Sequence, residues 1–537
     1  MADTPHVYPE GCYFNSLEDI RDKHITIMGL GLNGGGEASV RFFLSHGAYV
    51  TVTDMKSRQE LEPTILSLTS DKLLDRSRLS YVLGEHRIED FQNADCVIKN
   101  PGVRYEGNKF LAAAKHVETD LSVFLHFTKA PIIAVTGSKG KSSTSSAIYY
   151  GLQKAGFSPF LGGNITVSPL SFLERTDGMT PVVLELSSWQ LRDLRGRKAL
   201  RPKVAVITRI MPDHQNWYGD MDSYVDDKRL IYADQTEDDF LILSSDPDGY
   251  KEECSHTKPG CESWSDDFAQ DAPATVLRVC SENLLPAGSF GAFLRQGKDG
   301  TSIGMTQLPF SMRSKHAQDH GIQNEQVLGS LLVPGKHMMS NALAAALALQ
   351  MLGITPAQIS DVLAEWPGLP HRLEAFHKWV SPTDGRRLLF FNDSCATVPE
   401  AAAAASQAFG TGIILITGGT DKGLDFLPLA RTVSGEDGSS YKLKELYLLA
   451  GTGTDKLMSL LDARHIAYRG PFGSLEELLN ELKRNLAAPD AKQIYGVQGS
   501  KKSLPVVFSP GATSFGMFSN EFDRGERFKK AVKGMFF

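Results

Sequence analysis

Two amines, a carboxylate, an imidazole and a hydroxyl fall at suggestive distances from glycines: Lys141, Lys228, Glu185, His214 and Ser142. The stretch IIAVTGSKGKSSTSS (132–146) runs from an apolar, β-branched segment through Gly137, Ser138, Lys139, Gly140, Lys141, Ser142 and Ser143 into a helical pattern. Such a loop aims backbone N–H groups at a phosphate. Lys141 would add a point charge for the β- and γ-oxygens, and the Ser142 hydroxyl could reach Mg2+. The usual loop has glycine, four residues, then Gly-Lys-Ser/Thr; here Val135 holds the first glycine's place, and Gly137 makes the shorter G-x-x-G-K-S. A magnesium-triphosphate site needs hard oxygen ligands. Glu185, in LELSSWQL, would stand at a strand's carboxyl end facing the same crevice. His214 follows the strand VAVITRI, and Lys228 lies on the next helix. Taken singly, each has a plainer reading: a strand-end polar residue, a solvated loop histidine and a surface lysine.

A second glycine loop opens the chain. HITIMGLGLNGGGEASVRFFLSHGAYVTVTD reads as strand, glycine turn, helix and strand. Gly29, Gly31 and Gly34 fit G-x-G-x-x-G, and Asp54 lies 20 residues past Gly34. That pattern lets backbone approach a pyrophosphate at a helix N-terminus. A dinucleotide such as NAD is its standard ligand; another diphosphate, such as a nucleotide sugar, and a simple tight turn stay open.

The elements that must position these residues alternate. Apolar strands are predicted at 131–137, 181–188, 204–210 and 240–246, with a helix closing at Gly156. Alternating strands and helices imply a largely parallel, helix-covered sheet. Residues 250–330 break the rhythm and read as a polar insertion of loops and short strands. From Gly368 the alternation restarts with RRLLFFNDS, GIILITGG, ELYLLAG and LPVVFSPG as strands. PEAAAAASQAF and SLEELLNEL are helices, the latter with a Ser474-x-x-Glu477 capping box. The chain is therefore expected to be α/β with three domains: 1–120, 121–366 and 367–537.

With 537 residues, 42% hydrophobic and 22% charged, there is ample material for several cores. The net charge of −7 argues against bulk nucleic-acid binding, which needs a basic footprint. Six cysteines, at 12, 96, 254, 261, 280 and 395, show no C-x-x-C spacing, which suits a reducing cytoplasm. The first residues lack a secretory pattern, and NALAAALALQMLGI (341–354) is too short to span a bilayer. A soluble protein without a membrane partner is expected.

Taken in order, TGSKGKSS, ELSSWQL, PDH…Y…K…IY, GKHMMSNALAAA, GLPHRLE, NDSCAT, GGTDKGLDF and FSPGATSFGMFSNEFDRGERF form one pattern. It resembles the muramyl (Mur) ligases, specifically the glutamate-adding MurD type, over residues 29–528, and these ligases use the short T-G-x-x-G-K-[ST] loop. The resemblance implies a Rossmann-like nucleotide-sugar domain, a central P-loop ATPase-like domain and a C-terminal Rossmann-like domain. It also implies a monomeric, cytoplasmic amide ligase of peptidoglycan synthesis. In that reaction ATP phosphorylates the carboxylate of UDP-N-acetylmuramoyl-L-alanine, and the amine of D-glutamate attacks the acyl phosphate. The protein's task is then positioning and charge neutralisation.

The same resemblance assigns roles. Lys141 and Ser142 hold the phosphates; Ser142, Glu185, His214 and Lys228 serve two Mg2+ sites, Lys228 as a carbamate. Asn341, Arg372 and Asp393 join residues 137–143 around ATP. Leu32 and Asn33 face the diphosphate of the UDP substrate, Asp54, Met55 and Lys56 surround its uracil, and Gly102 and Asn164 contact the rest. Thr397, Lys422 and Ser514 grip the carboxylates of glutamate. Three positions depart from the family: Cys395 replaces a carboxylate-binding lysine, Met338 the asparagine of an HN pair, and Arg209 the asparagine ahead of the PDH motif. Cys395 leaves open a relative that adds L-glutamate or another amino acid. A non-catalytic nucleotide-sugar sensor and an NAD-dependent dehydrogenase with an accessory ATPase domain are the readings from other classes.

Overall fold

A computed structural model describes residues 4–32, 34–165, 167–245, 261–281, 285–296, 302–309, 312, 321–438, 443–488, 491, 495 and 503–537. Three sheets carry the chain. The first holds β1 (His24–Met28), β2 (Tyr49–Asp54), β3 (Leu79–Leu83), β4 (Cys96–Lys99) and β5 (Val117–Glu118) in the order β3-β2-β1-β4-β5, all parallel. The order reverses beside β1, so the glycine loop that follows β1 opens at the switch point, where α/β sheets bind ligands.

The second sheet contains β6 (Ile132–Thr136), β7 (Phe160–Gly163), β8 (Val182–Glu185), β9 (Val204–Ile207), β10 (Phe240–Ser244), β11 (Thr275–Cys280), β12 (Gly291–Gln296), β13 (Ser302–Pro309) and β14 (Ile322–Leu328). Its order is β14-β13-β12-β11-β10-β9-β6-β8-β7. Strands β6, β8 and β9 are buried along their whole lengths, as unbroken apolar runs in a helix-covered parallel sheet should be. The stretch read as a polar insertion of loops and short strands does contain strands, and they join the second sheet. Its described residues supply β11 to β14, extending the sheet and ending in the antiparallel ladders β12–β13 and β13–β14, together with a helix, Trp264–Asp271. One-sided exposure of the outermost strand, β14, accounts for its polar alternation.

The third sheet runs β15-β16-β20-β17-β18-β19, from β15 (Glu374–Val380), β16 (Arg387–Asn392), β17 (Ile413–Thr417), β18 (Leu443–Leu449), β19 (Arg469–Phe472) and β20 (Leu504–Phe508). Only the β15–β16 ladder among the paired strands is antiparallel. The expected helices appear at Pro399–Gln407 and Leu475–Leu486. The capping box is half formed: the Ser474 side chain accepts from the Glu477 N–H, but Glu477 reaches back to the Gly473 N–H at 3.0 Å.

Tertiary contacts divide the chain into two units. One is residues 1–330 with 339–364; the other is residues 331–338 with 365–537. Within the first unit the first two sheets share a continuous apolar core, from Phe14 and Phe43 to Tyr224 and Phe268. Among the described residues no helix is long and apolar enough to cross a membrane.

Close backbone approach explains the first glycine loop. Gly29, Gly31 and Gly34 all have positive φ, and Gly34 caps the Gly35–Ser45 helix in the left-handed region. The glycine that lets the helix pack on the loop is Gly36, where a Cβ would sit 2.3 Å from the Leu30 carbonyl oxygen and 2.5 Å from that of Gly29. Gly36→Ala is expected to cost about 1–3 kcal/mol of unfolding free energy through overpacking. Gly35→Ala, which meets nothing within 4 Å, should cost far less. Chemical denaturation of the two variants checks this.

Candidate functional site

The nucleotide loop follows β6, the strand flanked by β8 and β9. Gly137 (φ +141°) and Gly140 (φ +97°) shape it. A Cβ on Gly137 would lie 2.0 Å from Thr208 Oγ1, and one on Gly140 2.4 Å from Asn341 Oδ1, so both neighbours lie directly against the loop. Thr208 Oγ1 donates to the Lys139 carbonyl at 2.8 Å, and Ser138 N donates to the Arg209 carbonyl at 2.9 Å. Arg209 thus braces the loop with its backbone while its side chain is exposed. Ser142 and Ser143 occupy the first turn of the Lys141–Lys154 helix. A Cβ on Gly151 of that helix would meet Leu349, so the helix carrying Asn341 lies close along it.

Two amines converge on one carbonyl. Lys141 Nζ donates to the Gly137 oxygen at 2.9 Å and to that of Ser138 at 3.0 Å; Lys228 Nζ reaches the same Gly137 oxygen at 3.0 Å. Lys228 is 1% exposed and lies over the Tyr224 ring, 4.5 Å from its centroid. Burial holds the Lys228 amine well below the ordinary lysine range, and the neighbouring Lys141 charge pushes the same way. Burial also lowers Lys141, opposed by Glu185 and Asp213. Two amines on one carbonyl oxygen are fitted to receive phosphate oxygens.

Glu185 ends β8 in register with Val135, which sets its carboxylate beside the loop. It is buried; Oε1 accepts from Asn164 Nδ2 at 2.9 Å, whereas Oε2 has no partner. A buried, unpartnered carboxylate oxygen suits a hard cation. Asn164, expected among the substrate contacts, is therefore also the residue that orients Glu185. His214 has φ +54°, a strained conformation of the kind that collects at functional sites, and its ring lies 5.0 Å from that of Trp189. The adjoining Asp213 pairs with Lys139 at 3.4 Å. No three His, Cys, Asp or Glu side chains among the described residues cluster as a ready-made metal site. Tyr224, one of two tyrosines between the PDH motif and Lys228, bonds Ser138 Oγ through its hydroxyl at 3.0 Å, a contact the spacing alone does not assign.

Around the first glycine loop, Asp54 points inward. Its carboxylate accepts from Leu30 N (2.9 Å), Gly31 N (3.1 Å) and Lys56 N (2.9 Å), holding the loop's shape. Leu32 and Met55 are exposed at the loop's edge. Gly102 donates to Asn100 Oδ1, and Asn100 packs on Gly29, bringing the post-β4 turn against the glycine loop. Asn33 lies outside the described residues.

In the second unit, three loops leave the carboxyl ends of the adjacent strands β16, β20 and β17. They carry Asp393 and Thr397, Ser514, and Lys422 respectively. Thr420 and Thr513 pair across two of them, and Gly511 N donates to Ala396 O across another pair. Asp421 pairs with Lys456, and Lys422 is exposed. Asp393 accepts from Ser509 Oγ at 2.6 Å and Leu373 N at 3.1 Å; burial pushes its carboxyl up to about 7 against these bonds and the charge of Arg372. Arg372 itself is exposed. Met338 is buried and outside this loop cluster in sequence. Beneath the loops lies Arg524, whose guanidinium donates to Ser394 Oγ (3.0 Å), Ser394 O (2.8 Å) and Ala512 O (2.9 Å).

Two family models match the chain: Mur ligase middle domain over residues 135–349, and Mur ligase MurD-like, N-terminal domain over residues 23–120. Among curated proteins it is 38% identical to the UDP-N-acetylmuramoylalanine–D-glutamate ligase of Treponema pallidum (strain Nichols), covering 96% of this chain and 98% of that one. It is 36% identical to the protein of the same name from Borreliella afzelii (strain PKo), over 96% and 99%. The identity is 33% to that of Roseiflexus sp. (strain RS-1), over 95% and 98%.

The raised carboxyl of Asp393 has a stability consequence. Its folded value of about 7 exceeds the unfolded 3.8, so the native state binds the extra proton between those limits. That contribution is complete below about pH 3.8 and is lost as pH rises through about 7. Asp393→Asn should therefore gain stability relative to the parent as pH rises from 4 to 8. Parallel urea titrations at each pH measure the difference.

Proposed function

The chain belongs to the Mur ligase family, and on that premise we propose that it joins D-glutamate to UDP-N-acetylmuramoyl-L-alanine using ATP. The γ-phosphoryl group passes to the substrate carboxylate, giving an acyl phosphate and ADP. The glutamate amine then forms the C–N bond as the C–O bond to phosphate breaks, releasing phosphate and one amine proton. Carboxylate is a poor electrophile, and phosphorylation supplies its leaving group. The observation that supports this most directly is the pair of amines on Gly137 O beside a buried carboxylate with a free oxygen. In this reading residues 1–120 hold the UDP end, 121–366 bind ATP and 367–537 present the amino acid.

Lys141, the N–H groups of 137–143 and Asn341 cradle the triphosphate, and Arg372 and Asp393 complete the nucleotide contacts. Ser142, Glu185, His214 and Lys228 would hold two Mg2+ ions, and the free Oε2 of Glu185 fits that role. Bound metal supplies neutralisation of the phosphate charge. The neutral form of an amine is the one that adds CO2, losing a proton to become an anionic carbamate, and burial shifts Lys228 towards that form. We place the enzyme, as a monomer, in the cytoplasm, and the free cysteines among the described residues agree with a reducing compartment. Leu32, Asn33, Met55, Lys56, Gly102 and Asn164 are assigned to the nucleotide sugar, with Asp54 setting the loop they stand on.

Glutamate-dependent phosphate release in the presence of UDP-N-acetylmuramoyl-L-alanine tests the assignment. Release with D-glutamate only is expected, and activity confined to L-glutamate would reassign the substrate. Lys141→Ala should abolish turnover yet leave binding of the UDP substrate largely intact by calorimetry, because separate glycine loops serve the two nucleotides. Unchanged phosphate release in that variant would refute the site.

Lys228→Ala should be nearly inactive and partly rescued by short carboxylic acids. Protein equilibrated with 13C-bicarbonate should show a carbamate carbon by NMR that Lys228→Ala lacks. A bare amine in active protein would end this assignment.

A further inference from the structure

Arg524 is the most deeply buried cation of the second unit, with 0% of its surface exposed. Its three hydrogen bonds go to neutral acceptors, two carbonyls and a hydroxyl, and no described carboxylate forms an ion pair with it. Glu521 acts on it only through space, and Cys395 adjoins it. Burial lowers its value to about 10, the sign of a charge left without a counter-ion. Uncompensated buried charge is costly, so buried charges are normally paired. The groups its guanidinium bonds, and the residues beside them, belong to the loops bearing Thr397, Lys422 and Ser514: Ser394, followed by Cys395, on the first, Gly419 against its Nη1 on the second, Ala512 on the third.

We propose that Arg524 is a positioning and specificity residue whose uncompensated charge, set behind Cys395, attracts a carboxylate of the incoming dicarboxylic amino acid, with Lys422 as the exposed partner cation. The amino acid supplies the counter-ion that the folded chain lacks. Cys395 is small and uncharged, so it leaves that field unscreened. The residue acts through the loops and through space; the substrate is touched by Thr397, Lys422 and Ser514. This inference rests on the function proposed above.

The test measures steady-state phosphate release by the full-length protein with ATP, the UDP substrate and glutamate. Arg524→Lys keeps the charge and Arg524→Gln removes it. Arg524→Gln should raise KM for glutamate about 10-fold or more, the range of a lost charge-assisted contact. KM for ATP should stay within about twofold. Arg524→Lys should recover most of the glutamate affinity. A second pair guards against misfolding of these variants. Cys395→Asp installs an internal counter-ion beside the guanidinium, whereas Cys395→Asn has the same shape without charge. The Asp variant should melt higher than the Asn variant and show at least a 10-fold higher KM for glutamate. Equal KM values for the Cys395 pair, or equal damage from both Arg524 substitutions, would overturn the inference and make Arg524 a loop clamp alone. No glutamate-dependent phosphate release by the wild-type protein would overturn the proposed function and this inference with it.

Discussion

The Gly137 carbonyl oxygen receives hydrogen bonds from Lys141 and Lys228 together, and the nucleotide site is organised about that convergence. Two amines within reach of one oxygen, one of them fully buried, cannot both hold a proton cheaply. Burial lowers both, the Lys141 charge lowers Lys228 further, and an arriving anion would relieve the pair. The geometry depends on Gly137 adopting φ +141° against the Thr208 hydroxyl, a conformation and a clearance that no side chain allows. Glu185 has the complementary deficit, a buried oxygen lacking a donor. A site with excess donors on one side and a spare acceptor on the other fits phosphate and a hard cation together.

The first unit fixes this arrangement from behind with buried ion pairs. Asp227, next to Lys228, is held by Arg192 at 3.3 Å and Arg195 at 2.8 Å, and Arg192 also reaches Glu106 at 2.9 Å. Lys99 meets Asp193 and Arg197 meets Glu118, each at 2.7 Å. These pairs join the first sheet to the helices around the nucleotide loop. Their desolvation offsets much of their attraction, so their contribution is better understood as geometry than as stability. Through them the residue ahead of Lys228 is tied to the turns beside the first glycine loop.

All three sheets obey one rule, that loops at the carboxyl ends of neighbouring parallel strands meet where the strand order changes. Chemistry-bearing residues far apart in sequence then become neighbours. Glu185 comes beside Val135 by register, and Asp393 beside Ser509 by a 2.6 Å hydrogen bond. The Arg524 cluster is the same device, with three loops stitched by one guanidinium.

Residue type and spacing alone determined the strands flanking both glycine loops, the most apolar strands after them, the α/β class and the family pattern. Apolar runs, glycine positions and a lysine after Gly140 constrain local backbone whatever lies around them. Tertiary structure alone decided how each polar group is satisfied. Asp54 turned its carboxylate onto the Leu30 and Gly31 amides, Glu477 chose the Gly473 amide over its own cap, and Asn164 took one oxygen of Glu185. Gly36, outside the G-x-G-x-x-G pattern, lets the helix pack, because a Cβ there would clash with backbone folded back from β1. The short strands expected after residue 260 extend the second sheet through parallel β11 and β12 into antiparallel β13 and β14, a placement their sequence left open. Arg524 stood in a recognisable motif, but nothing in its neighbours revealed that it would be sealed without a carboxylate. Partners and burial are properties of three-dimensional proximity, and a linear pattern records only which groups are available to meet.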